Sequence, residues 1–209
     1  MKPENVPMRI LVSGLTAAGK STHCRLLAAH YGIPYVSMRV VMASLLRERG
    51  LPGSEGKDWS PAVDGARVLV DDLDLEADRR MLERAERGPG VFDAWALPWL
   101  YPDPSAVRVW IAADLPSRIQ RCRRSAIARG LPVPGDPAAL LKAKDEFSRR
   151  RFQRLYGFDL EPSPETFDVV AENSQLLPEL SRHLFEADVD RFNRELILEI
   201  ESARRAKVA

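Results

Sequence analysis

The 209-residue chain holds only two cysteines, Cys24 and Cys122, too few and too far apart for a disulfide framework or a thiolate metal site. Reduced, buried thiols in a cytosolic protein fit better. Histidine is nearly as scarce, at three residues. His23 and His30 have no Cys or His partner at ligand spacing and read as surface or capping residues, and His183 reads as a surface residue. No apolar run approaches the ~18 residues of a membrane span, and Met1-Lys2-Pro3-Glu4-Asn5 has no apolar signal core, so a cytoplasmic protein without a membrane partner is expected. Lys+Arg 31 against Asp+Glu 30 leaves a net charge of +1, which calls for neither nucleic acid nor an anionic surface. There is no internal repeat and no low-complexity segment.

What is present is concentrated near the start. An apolar strand, Arg9 to Ser13, runs into Gly14-Leu15-Thr16-Ala17-Ala18-Gly19-Lys20-Ser21-Thr22, which is G-x-x-x-x-G-K-[ST] between a strand and a helix. Gly14 and Gly19 give the backbone freedom for successive N–H groups to curl round a phosphate, and the helix opening after Gly19 adds the positive end of its dipole. Lys20 then reaches the outer phosphates and the Ser21 hydroxyl ligates Mg²⁺. The plainer alternative is a Gly-containing turn that holds nothing.

Downstream, the apolar spacing predicts a helix over Ser21 to Ala29, a short strand over Pro34 to Ser37, and a second helix over Val40 to Arg49 ended by Gly50 and Pro52. A polar link over 53–61 and a charged helical stretch over 62–87 follow. About fifty residues between the second and third strands exceed what a simple crossover needs and imply a projecting helical flap. Gly90 to Ala94 and Val107 to Ala112 are short apolar runs of the kind buried in a parallel sheet. Asp93 ends the first of these, at the edge where open α/β sheets bind ligands, and there it can hold the water shell of Mg²⁺ or accept a proton.

Two basic helices, Leu115 to Arg129 and Ala138 to Tyr156, flank a Pro- and Gly-rich turn and carry most of the arginines between Arg118 and Arg154. After a phosphate loop they read as a lid over transferring phosphates; the duller reading is two solvated faces paired with Asp145 and Glu146. The basic run has few interleaved aromatics beyond Phe147 and Phe152, which argues against nucleic acid. Phe167 to Ala171 is a fifth strand, with Asn173 and Ser174 behind it. Leu176 to Leu184 and Phe185 to Arg205 read as helices.

Asp74 to Arg80, Val91 to Trp95 with Trp99, and Arg151 to Asp159 resemble, in order and spacing, the short cytidylate kinases of the archaeal type, within the nucleoside-monophosphate kinases. The resemblance covers roughly residues 8 to 175. It implies an α/β P-loop NTPase fold: a five-stranded parallel sheet in the order 2-3-1-4-5 flanked by helices. It implies one domain over 1–209, with an acceptor-binding flap about 38–88, an Arg-rich lid about 121–156 and a C-terminal helix about 185–205. It also implies transfer of the γ-phosphoryl group of ATP with Mg²⁺, by a monomer or homodimer.

Joined to the motif, the resemblance assigns Gly14, Ala17, Ala18, Gly19, Lys20, Ser21 and Thr22 to the ATP phosphates, Ser21 and Asp93 to Mg²⁺, and Asn173 to the neighbourhood of the adenine. Lys20, Asp93, Arg121 and Arg149 would be catalytic. Ser37, Arg39, Arg79 and Arg80, with Asp93, Trp95 and Arg151, would meet the acceptor. This chain departs from the family mainly on that side. The family's Gly-Arg after the strand-three acid is Ala94-Trp95, an Arg of the acceptor helix is Ala43, and an Asp in the lid is Ser148; in the phosphate loop a usual Gly is Ala17. CMP or dCMP is the best guess for the acceptor. The alternatives are a non-nucleotide alcohol, phosphate or phosphonate, or a nucleotide-binding pseudokinase, against which Lys20, Ser21 and Asp93 argue.

Overall fold

The computed structural model of the chain describes residues 8–51, 72–174 and 182–208, with the side chains of residues 182–184 and 208 excepted. The link over 53–61, residues 62–71 of the charged stretch, most of the 176–184 helix and the side chain of His183 lie outside the described residues. Five parallel strands form one sheet: β1 (Arg9–Ser13), β2 (Tyr35–Ser37), β3 (Gly90–Asp93), β4 (Val107–Ala112) and β5 (Val169–Glu172). Their order is β2-β3-β1-β4-β5, as the resemblance implies. Val12 lies opposite Asp93 and Ser13 opposite Trp110, so three strands deliver their carboxyl ends to one edge.

All five residues of β1 are buried because helices cover both faces of the sheet. Side chains alternate between those faces. Ile10, Val12, Val91 and Val109 pack with α1 (Lys20–Tyr31) and with Phe192, Leu196 and Ile200 of the long α7 (Arg182–Val208). Leu11 and Phe92 pack on the other side with Leu45 and Leu46 of α2 (Met38–Glu48) and Leu73 and Met81 of α3 (Asp72–Arg87). A third, aromatic cluster joins Trp110 and Phe167 to Phe152 and half-buried Trp95, Trp99 and Phe158. It lies between β4, the short α4 (Leu97–Leu100) and α6 (Pro137–Tyr156), which follows α5 (Leu115–Ala128).

Several boundaries differ from the sequence reading. Helix α4 was not expected; Pro98 falls in its first turn, where no backbone N–H is needed. Strand β5 starts at Val169, because the Phe167 N–H is taken up by the Ser163 carbonyl in a turn. Helix α7 runs unbroken through Leu184-Phe185, where two helices were expected. Cys24 is buried as expected, but Cys122 is only half-buried.

His23 is a correction of a different kind: it is 2% exposed and is neither a surface nor a capping residue. It shares the buried stripe of α1 with Cys24, Leu27 and Ala28, and α7 covers that stripe, setting Phe192 with its ring centroid 4.6 Å away. His30 is exposed, as expected. Burial pulls the His23 imidazole down from 6.5 to about 4, against a hydrogen bond with Asn193 that favours the charged form.

The imidazole is therefore neutral in the folded chain while the unfolded chain takes up a proton. Stability is complete above pH 6.5 and falls as the pH drops to about 4, by about 3 kcal/mol in total. Urea unfolding across this window should show that slope in the wild type and a flatter one in His23→Gln.

Candidate active site

The phosphate loop links β1 to α1 at the carboxyl edge of the sheet. Gly14 has φ +144°, and a Cβ there would lie 2.3 Å from the Ile111 carbonyl oxygen; at Gly19, φ +102°, it would lie 2.6 Å from Asn173 Nδ2. Both positions accept only glycine. Ala17 is the one non-glycine residue with positive φ among the described residues, at 63°. It keeps the left-handed conformation with a Cβ in place, at a cost of about 1–2 kcal/mol.

Side chains hold four of the loop carbonyls. Lys20 Nζ donates to Gly14 O at 2.6 Å and Leu15 O at 2.9 Å, Arg118 Nε donates to Thr16 O at 2.7 Å, and Asn173 Nδ2 donates to Ala18 O at 2.9 Å. A planar trans peptide directs its N–H opposite to its C=O, so the last two contacts turn the Ala17 and Gly19 amides away from Arg118 and Asn173. Burial pushes the Lys20 ammonium below its ordinary range, with the Asp93 carboxylate the largest opposing influence.

Asp93 is buried at the end of β3, and its Oδ2 accepts hydrogen bonds from Ser21 Oγ at 2.6 Å and Tyr35 Oη at 3.0 Å. Ser21 and Asp93 are hard oxygen donors within one hydrogen bond of each other, next to the lysine, which suits Mg²⁺. Burial, and then Asp93, pushes the Tyr35 hydroxyl up. Sequence reasoning missed Tyr35. The available signal was the strand order, which puts β2 beside β3 and sets Ser37 opposite Asp93, with Tyr35 two residues back on the same face.

The other expected residues scatter. Thr22 is exposed on α1. Arg121 donates to the Asn173 carbonyl, so it reaches the loop behind β5. Arg149 lies 3.5 Å from Glu161, and the two line a cavity of about 210 Å³ that also touches Leu15 of the phosphate loop. Ser37 is buried beside Asp93, while Arg39 is exposed on α2.

Three arginines expected at the acceptor are held by carboxylates. Arg79 pairs with Glu76 and Glu83, and Arg80 pairs with Glu76 at 2.9 Å and with Glu48 across to α2 at 2.7 Å. The Arg80 guanidinium and then the Ser44 hydroxyl hold Glu48 down to about 2. Arg151 forms a buried pair with Asp74 at 2.6 Å. Trp95 sets its ring edge-on to Phe152, 6.0 Å between centroids, and its carbonyl accepts from Ser13 Oγ at 2.8 Å. The structure thus gathers the loop, Lys20, Ser21 and Asp93 into one site and leaves Arg79, Arg80 and Arg151 in ion pairs.

Residues 9–175 match the cytidylate kinase-like family. The chain is 35% identical over 153 residues to a cytidylate kinase of Aeropyrum pernix, covering 72% of this chain and 81% of that one. It is 29% identical over 182 residues to a cytidylate kinase of Pyrococcus abyssi, covering 87% and 93%. Among solved structures, an uncharacterized protein from Eubacterium ventriosum superposes with a TM-score of 0.62 at 16% identity, over 93% of this chain and 99% of that one. A shikimate kinase from Acinetobacter baumannii gives 0.51 at 15% identity, over 95% and 96%. At these identities the two structures speak to the fold alone, which they share.

Tyr35→Phe removes one of the two hydrogen bonds held by Asp93 Oδ2 without changing the packing of the ring. Mg²⁺-dependent binding of a nucleoside triphosphate should weaken about tenfold, with the melting temperature nearly unchanged. Calorimetric titrations at several Mg²⁺ concentrations measure both the loss and its metal dependence.

Proposed function

Because this chain belongs to the cytidylate kinase-like family and is an ATP-dependent kinase, we propose that it transfers the γ-phosphoryl group of ATP to a nucleoside monophosphate, with CMP or dCMP as acceptor. The observation that carries this reading is the Ser21–Asp93 contact of 2.6 Å beneath a glycine-framed loop that also holds Lys20. The loop amides and Lys20 bind the outer phosphates. Ser21 and Asp93 would hold Mg²⁺, which when bound neutralises charge on the β- and γ-phosphates.

The remaining work is positioning and electrostatics, and no covalent nucleophile takes part. Arg121 and Arg149, from the two basic helices, meet charge that develops on the transferred group. Arg149 first has to leave Glu161, which lines the cavity beside Leu15 with it. Helices α2 and α3 form the flap that receives the acceptor; Arg39 orients it, joined by Arg79 and Arg80 once their glutamate partners yield, while Arg151 stays paired with buried Asp74.

A second reading is favoured by Trp95, which stands where the family resemblance implies an arginine, and by the pairing of Arg79 and Arg80 with glutamates. An arginine lost from a phosphate removes about 1.5–3 kcal/mol, roughly tenfold to a hundredfold in affinity. An acceptor that is not a nucleotide, such as an alcohol, a phosphate or a phosphonate, packs against the flat indole with less need for those contacts.

Coupled ADP-release assays across nucleoside monophosphates and a panel of small alcohols, phosphates and phosphonates separate the two. CMP or dCMP is expected to turn over fastest. Turnover of a panel compound with none for any nucleoside monophosphate would replace the first reading by the second. Lys20→Ala should abolish turnover while circular dichroism shows the fold intact.

A further inference from the structure

Arg118 carries the same charge as the other arginines of the two basic helices, yet it is 4% exposed, with both Nε and Nη2 engaged. It lies in the first turn of α5. Its Nε donates to the Thr16 carbonyl of the phosphate loop at 2.7 Å, and its Nη2 donates to Asp145 Oδ1 and Oδ2 at 2.8 and 2.6 Å. Asp145, 6% exposed, belongs to α6, the second basic helix. One guanidinium therefore joins the phosphate loop to the two helices that follow β4.

The contact falls at a telling place in the loop. The carbonyl of Thr16 and the N–H of Ala17 belong to the same planar peptide, so fixing one fixes the other in the opposite direction. Ala17 is also the residue held at φ 63°. A glycine adopts that conformation without strain; an alanine relaxes from it unless something holds the flanking peptide. Arg118 supplies that hold, and the planar fork of a guanidinium serves a carbonyl and a carboxylate at once in a way an ammonium does not.

We propose that Arg118 is a positioning residue for the phosphate donor. Braced by Asp145, it holds the Thr16 carbonyl so that Ala17 stays left-handed with its amide turned toward the phosphate site. The same brace makes the seating of α6 and the shape of the phosphate loop one coupled unit, so ATP affinity senses where that helix sits. The inference rests on the reading of the loop as the ATP-phosphate site.

The test is a double-mutant cycle between Arg118→Lys and Ala17→Gly, with Mg·ATP affinity by calorimetry, acceptor KM and melting temperature read for each protein. Arg118→Lys is expected to weaken ATP about tenfold and to leave acceptor KM within about twofold. With Ala17→Gly as the reference, the double variant should bind ATP within about threefold of Ala17→Gly alone. A merely structural salt bridge predicts no such rescue. If Arg118→Lys fails to fold, the near-isosteric Asp145→Asn goes through the same cycle with the same expectation.

Additive effects in the cycle, or a lower melting temperature with ATP affinity kept, would overturn the inference. Absence of ATP binding by the wild-type chain would overturn the phosphate-site reading and this inference with it.

Discussion

The carbonyl oxygens of Gly14, Leu15, Thr16 and Ala18 are each held by a side chain from Lys20, Arg118 or Asn173. These contacts answer a cost built into the loop. A run of amides that converge on one anion needs peptide orientations that ordinary turns do not adopt, and Ala17 meets that need with no help from a missing Cβ. Much of the surrounding architecture serves this constraint. Strand β1 delivers the loop to the edge of the sheet, the loop behind β5 brings Asn173 to Ala18, and α7 seals the far side of α1 over His23. Asp93 comes from the neighbouring strand in the register that sets it opposite Val12.

The near-neutral charge of the chain conceals how its arginines are used. On the donor side they reach loop backbone, as Arg118 does at Thr16 and Arg121 at Asn173. On the side of α2 and α3 they meet carboxylates: Arg80 with Glu48, Arg79 with Glu76, Arg151 with Asp74. The exposed pairs are individually weak and open readily to a better anion. The buried Arg151–Asp74 pair is not of that kind, because separating it leaves a charge in the interior. It is a structural tie between α6 and α3, and it sets Arg151 apart from Arg79 and Arg80 among the arginines proposed for the acceptor.

The strand order, the phosphate loop and Asp93 were legible in the sequence because each is written locally. An apolar run ends in a glycine motif, or an acid closes a strand, and a family resemblance orders the pieces. The residues that escaped notice are those whose surroundings come from distant segments. His23 looks exposed until Asn173, 150 residues away, and α7 are laid over it. Tyr35 looks like an ordinary strand residue until β2 is set beside β3. Arg118 is indistinguishable from its basic neighbours until its partners at Thr16 and Asp145, 102 and 27 residues away, are known. In the same way Arg151 carries a family pattern in the sequence, while Asp74, 77 residues earlier, takes its charge in the fold.

The claim beneath all of this is that the loop between β1 and α1 binds the phosphates of ATP. Calorimetric titration of ATP into the wild-type chain with magnesium present addresses it directly. The account predicts one site per chain, with binding that weakens sharply when magnesium is chelated. No measurable uptake of ATP or another purine triphosphate under those conditions would contradict it.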